Sequence, residues 1–199
     1  LLALMRGGQR ADSAISGDRV EVILAETPFY VEAGGQVSDT GFISGPGWLI
    51  EVEDTRRPVG GMVIHIGEVI EGTPHTGDLA RAEVDTARRA AITRNHTGTH
   101  LLHAALRSRL GTHVQQRGSL VAPDRLRFDF AHDSRVSPEE LAAIEADVNA
   151  AILRNLPVRA QEKPLAQARQ EGAMALFGEK YGEVVRTIVI ADDGTPCSY

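Results

Sequence analysis

Cysteine occurs once in 199 residues, at Cys197, so no internal disulfide can form, and such scarcity favours the cytoplasm. No apolar run approaches the roughly 18 residues that a membrane-spanning helix needs. The opening Leu1-Leu-Ala-Leu-Met-Arg is too short, and too soon followed by Gly8-Gln-Arg, to be a secretory signal. An initiator methionine is missing, so a piece of a longer protein is expected. Repeats and low-complexity tracts are absent as well. A chain of this length with 42% hydrophobic and 24% charged residues reads as a soluble globular protein of one or two domains.

A formal charge of −6 argues at first against a nucleic-acid partner, but the charge is unevenly spread. From Arg81 to Arg127 there are nine arginines and three acidic residues, a local +6, which leaves −12 on the remainder. A concentrated basic segment can hold a phosphate backbone on an acidic protein, although a solvated basic face has the same composition.

The first half of the chain reads as strands. Val20, Val22 and Leu24 alternate with Arg19, Glu21 and Ile23, and Trp48–Val52 and Met62–Ile66 look similar. Glycines interrupt these runs, so a small β-barrel over residues 18–85 is expected, preceded by a ragged linker or helix end over 1–17. The pattern changes near Asp85. A helix is expected from His96 to Leu110, with Asn95 as N-cap and Gly111 as stop. Arg125–Ala131 alternates as a strand with Leu126, Phe128 and Phe130 on its buried face. Ser137-Pro-Glu-Glu opens a second helix with a capping box to Glu140, and Leu141, Ile144, Val148 and Ile152 form its apolar stripe. Strands at 157–162 and 184–190 flank a short helix near 165–170. The whole is α+β, with residues 86–199 as a two-layer α/β domain carrying its helices on one face of an antiparallel sheet.

His96-Thr-Gly-Thr-His100 places two imidazoles four residues apart, on one face of a helix, where they converge well enough to share a metal. His103 lies near the same stripe, and Leu101, Leu102, Ala105 and Leu106 form the back. A zinc ion or a tRNA phosphate would each explain a histidine front, and a polar helix surface remains the plain alternative. Thr97 stands where a metalloprotease carries its glutamate, so protease chemistry is not expected.

The segment Asn95-His-Thr-Gly-Thr-His-Leu-Leu-His-Ala-Ala-Leu-Arg resembles the editing-domain signature of alanyl-tRNA synthetases. So do Thr27-Pro-Phe-Tyr-Val-Glu-Ala-Gly-Gly-Gln-Val-Ser-Asp-Thr-Gly, Gly118-Ser-Leu-Val, Leu126-Arg-Phe-Asp-Phe and Gly172-Ala-Met-Ala-Leu-Phe-Gly-Glu-Lys-Tyr-Gly. They occur in the family's order and span residues 26 to 186. The resemblance implies a glycine-rich β-barrel leading into an α/β editing domain that hydrolyses seryl- and glycyl-tRNA(Ala). It implies tRNA(Ala), not DNA or a membrane, as partner. It implies zinc on His96 and His100, the remaining Cys and His ligands following in a C-x-x-x-H segment beyond Tyr199, with Cys197 before the metal cysteine. On that expectation this chain holds half a metal site.

ATP and magnesium would belong to a catalytic part of the parent enzyme that is not visible here. The likeness also marks Gln116 and Thr99 as pocket residues that orient water or hydrogen-bond a serine hydroxyl. Arg88, Arg89, Arg94, Arg107 and Arg117 are the implied phosphate contacts. Gly34-Gly35-Gln36 is read as a tight turn at the pocket mouth; peptide release factors carry the same tripeptide, but the flanking residues fit the synthetase. A freestanding trans-editing deacylase, the editing domain of threonyl-tRNA synthetase, a non-catalytic tRNA-binding module and an unrelated metal hydrolase are the rival readings.

Overall fold

The computed structural model describes residues 1–58, 60–171 and 182–191, and the backbone of 196–198. Two compact units are present, one of Leu1–Thr93 with Val121–Asp124 and one of Arg94–Leu120 with Arg125–Tyr199.

The first unit is a seven-stranded antiparallel sheet. Its strands are β1 (Ala3–Arg6), β2 (Gln9–Ala11), β3 (Arg19–Ile23), β4 (Gly41–Gly45), β5 (Trp48–Arg56), β6 (Ile64–Glu71) and β7 (Arg81–Val84), in the order β2-β1-β3-β6-β5-β4-β7. Within residues 1–17, expected as a ragged linker or helix end, residues 3–11 form the β1–β2 hairpin, and Leu4 pairs with Val22 of β3 and is fully buried. Among the described residues no ladder joins β7 to β2, so the expected barrel is seen as an open strand order.

Alternation places Val20, Val22, Ile43, Ile50, Val52 and Val69 in one core with Leu4 and Trp48. Each such side chain contributes about 1.5–3 kcal/mol by leaving water. Strand β6 starts two residues later than the expected Met62 and runs on to Glu71. Its inward positions are His65, Gly67 and Val69, with Ile64, Ile66 and Glu68 only partly buried. Gly67 is dictated by close approach, because a Cβ there would lie 1.8 Å from the Glu51 carbonyl oxygen of β5.

The second unit is built around α1 (Thr86–Leu110), whose later turns belong to it, the strand pair β8 (Gln115–Val121) and β9 (Leu126–Ala131), and α2 (Pro138–Leu153). Leu106, Val114 and Ile144 are buried together with Phe128 and Phe130 packed against them. Ser137 caps α2 as expected. Its hydroxyl accepts from the Glu140 N–H, and Glu140 accepts from the Ser137 N–H. The apolar stripe of α2 is buried only at its middle: Ile144 is enclosed, whereas Leu141 and Ile152 are more than half exposed. A three-stranded antiparallel sheet of β10 (Val158–Pro164), β11 (Val184–Ala191) and β12 (Pro196–Ser198) carries α3 (Leu165–Gln170). The single sheet expected for this region is thus two sheets among the described residues. The Gly172–Tyr181 part of the last motif lies outside them. No helix among them is long and apolar enough to cross a membrane.

Candidate functional site

Helix α1 begins ten residues before the expected His96. Asp85, not Asn95, caps it: the Arg88 N–H donates to Asp85 Oδ1 at 2.9 Å. The stretch Thr86–Arg94 holds no glycine or proline and is rich in Ala and Arg, so nothing stops the helix there. Asn95 is interior, and its carbonyl accepts from the Thr99 hydroxyl at 2.8 Å. Gly98 is tolerated in mid-helix because Leu126 of β9 packs over it, at 3.4 Å from where a Cβ would stand. Gly111 does end the helix, its N–H donating to the Arg107 carbonyl.

His96 and His100 stack in parallel, with ring centroids 5.2 Å apart and planes 11° apart. Burial lowers the pKa of both, and His100 is lowered further by the nearby His96 and His103. Neutral imidazoles are the form that a metal requires. The donor set therefore fits two positions of a tetrahedral zinc site. Among the described residues there is no group of three or more His, Cys, Asp or Glu placed to hold a metal. The Cys197 side chain lies outside them.

His103 departs from the expected histidine front. It is buried against Phe128, with ring centroids 4.9 Å apart, and its Nε2 has no hydrogen-bond partner. Burial pushes its pKa down, as does Arg107, against a hydrogen bond to the Val114 backbone that raises it.

Thr99 is buried and commits its hydroxyl hydrogen to the helix itself, which leaves only its oxygen lone pairs to accept. Gln116 lies half-buried on β8. The five arginines divide. Arg88 donates to the Ser38 carbonyl at 2.6 Å. Arg89 forms a bidentate pair with Asp39, which is 1% exposed, and also donates to the Pro28 carbonyl. Arg107 donates to the carbonyls of Thr112 and Val114. Arg94 and Arg117 are exposed.

Gly34 and Gly35, at φ +60° and +84°, form the two central positions of a hairpin turn whose flanks, Ala33 and Gln36, exchange backbone hydrogen bonds. Two successive positive φ values at a two-residue turn require glycine or a close substitute. The turn is braced by backbone bonds from Val121 to Gly35 and from Val37 to Val121. At its base Asp39 accepts from the Tyr30 N–H, and Ser38 donates to Asp54 at 2.6 Å.

His65 completes this base. Its Nδ1 donates to the Val22 carbonyl at 3.1 Å, so Nε2 of the neutral ring accepts from the Thr27 hydroxyl at 2.7 Å. Thr27 in turn accepts from the Phe29 N–H. Neither Asp39 nor His65 was singled out from sequence. Asp39 lies inside the Thr27–Gly41 motif, and the alternation of β6 was the signal for His65.

With the geometry described, comparison with known proteins gives two findings. Residues 1–88 match the family described as tRNA synthetases class II (A). Beyond that match, the chain is similar to alanine–tRNA ligases along nearly its whole length. It is 52% identical over 195 residues to the alanine–tRNA ligase of Anaeromyxobacter sp. (strain Fw109-5), covering 98% of this chain and 22% of that protein. The corresponding enzymes of Roseiflexus castenholzii and Mesorhizobium japonicum are 52% and 50% identical, each over 94% of this chain and 21% of the relative. The chain thus spans about a fifth of the length of the curated relatives it matches.

Proposed function

We propose that this chain is the editing region of a cytoplasmic alanine–tRNA ligase and that it hydrolyses the ester of seryl- and glycyl-tRNA(Ala). The carrying observation is the parallel pair of neutral imidazoles, His96 and His100, on α1. The parent's ATP-dependent joining of alanine to tRNA(Ala) is part of the same proposal, and the glycine-rich sheet is read as its barrel domain.

The need for such a site follows from pocket chemistry. A pocket that accepts alanine cannot exclude glycine by size, and it rejects an analogue bearing one extra hydroxyl by only about a hundredfold. His96 and His100 would hold zinc together with donors outside the described residues. Zinc there would polarise the ester carbonyl or lower the pKa of water to about 7. Gln116 cannot serve as a base because its amide does not titrate, so its part is to orient water or bond the serine hydroxyl. Thr99, with its proton committed to Asn95, can only accept from water or from the substrate's ammonium or hydroxyl group. The braced Gly34–Gly35 turn offers backbone without side chains to the tRNA end.

The test is hydrolysis of seryl-tRNA(Ala) by the natural full-length protein and by its His96→Ala, His100→Ala double variant. Serine release lost in the variant, with alanine charging retained, is the expected result. Equal release by both proteins sinks the metal-dependent reading. No release by either, with tRNA binding intact, leaves a tRNA-binding module.

A further inference from the structure

Of the seven histidines, His75, His113 and His132 take no part in the site above, and the last two lie side by side. His113 lies just before β8 and His132 just after β9, so the strand pair brings them to one end. His113 Nε2 and His132 Nδ1 are hydrogen-bonded at 2.9 Å, with ring centroids 5.1 Å apart and planes 20° apart. The remaining nitrogen of His132, Nε2, is 3.2 Å from Ser134 Oγ.

Both rings are held in place. His132 occupies the next place on the face of β9 that carries Phe128 and Phe130, and its ring centroid is 6.5 Å from that of Phe130. The His113 ring fills the space beside Gly111, where a Cβ would be 2.9 Å from His113 Nδ1. His113 is exposed and His132 half-buried, so the pair is open to solvent.

An imidazole–imidazole hydrogen bond shares one proton between two lone pairs. A cation that takes both lone pairs displaces that proton, which passes through water to His113 Nδ1, so each ring stays neutral with one N–H. Metal–nitrogen bonds of about 2.05 Å at a right angle put cis nitrogens about 2.9 Å apart, whereas a tetrahedral angle needs about 3.3 Å. The observed 2.9 Å is a hydrogen-bond separation, and reaching the tetragonal arrangement from it takes less movement than reaching the tetrahedral one. We propose that His113 and His132 form a surface site for one divalent transition-metal ion of the copper(II) or nickel(II) kind, separate from His96 and His100. A small turn of each ring about its Cβ–Cγ bond converges the two lone pairs, and water fills the other positions. Ser134 then accepts from His132 Nε2–H and fixes Nδ1 as the ligating nitrogen.

The experiment titrates metal-free chain with copper(II), reading affinity by chelator competition and nitrogen ligation by electron paramagnetic resonance. It uses a His96→Gln, His100→Gln background, so that the other imidazole pair cannot contribute. That background should keep one copper equivalent with two-nitrogen hyperfine structure. His113→Gln and His132→Gln should each weaken it by about tenfold or more, and Ser134→Ala by up to about tenfold. Circular dichroism confirms that each variant is folded, and the exposed position of His113 makes its variant the safer of the two. Copper affinity unchanged by either substitution, or lowered by only one of them, overturns the paired site. So does a background protein that binds no stoichiometric copper.

Discussion

His65 donates from Nδ1 to the Val22 carbonyl and accepts at Nε2 from Thr27, so its neutral form is the one the sheet is built around. Burial holds its pKa below the ordinary value of about 6.5. The unfolded chain therefore binds more protons than the folded one once the pH falls below about 6.5, and stability drops with further acidification. The half-buried His96 and His100 and the buried His103 act in the same direction, so the test must be differential. Urea midpoints of the parent and His65→Gln, measured from pH 7.5 to pH 5, should show a shallower pH slope in the variant. Parallel slopes would remove His65 from the account. A second residue-scale prediction concerns Arg89. Its removal leaves the Asp39 side chain, 1% exposed, with the Tyr30 N–H as its one remaining hydrogen bond among the described residues. Arg89→Ala should cost about 3 kcal/mol in chemical denaturation, the low end for a broken buried pair because Arg89 itself reaches solvent. A cost near zero would show that water reaches Asp39 in the variant and replaces the guanidinium.

At the scale of elements, the start of α1 gives a direct discrimination. Asp85→Ala removes the side chain that accepts from the Arg88 N–H and should lower stability by about 1 kcal/mol. Asn95→Ala, at the position that the sequence alone favours, removes no cap because Asn95 bonds Thr99 through its carbonyl. Equal losses at the two positions would contradict the helix start described above. The comparison also shows what local pattern conveys. Ser137 with Glu140 is a self-contained signal within four residues, and α2 starts where it says. The helix 165–170 and the strands at 126–131 and 184–191 are similarly legible from alternation and breakers. The first three turns of α1 were missed because Asn95 is a good cap by type, and only the Leu126 contact explains why Gly98 does not end the helix. The hairpin over residues 3–11 was missed because it is short and its burial depends on β3. In the candidate site, the His96–His100 pair was legible because a four-residue spacing fixes a helix face. The burial of His103, the Asp39–Arg89 pair and the Thr27–His65 bond depend on packing between distant segments, which spacing does not encode.

For the whole molecule, the sequence shows a basic segment of +6 within a chain of −6, and the structure shows how little of that charge is available. Arg109 is bidentate with Asp147, Arg127 pairs with Asp129 and Arg81 with Glu83. Arg88, Arg89 and Arg107 spend their donors on Ser38, Asp39, Thr112 and Val114. Arg94 and Arg117 have no ion pair among the described residues, so phosphate contact on the proposed tRNA reading falls first to them. Each phosphate neutralised releases condensed counterions, which makes the logarithm of the binding constant fall with log salt by about 0.7 for a single-stranded end and 0.9 for a duplex. Arg94→Ala and Arg117→Ala in the full-length protein should each weaken binding of tRNA(Ala) at low salt and reduce the slope by roughly that amount, with the thermal midpoint unchanged. Arg107→Ala should instead lower the midpoint, because the Thr112 and Val114 carbonyls lose their donor. Arg109→Ala should leave the salt slope intact, since its charge is already answered by Asp147. A parental slope in Arg94→Ala and Arg117→Ala, with a reduced slope in Arg109→Ala, would mean that tRNA displaces Asp147 and that phosphates lie along the α1–α2 side rather than beside Arg94 and Arg117.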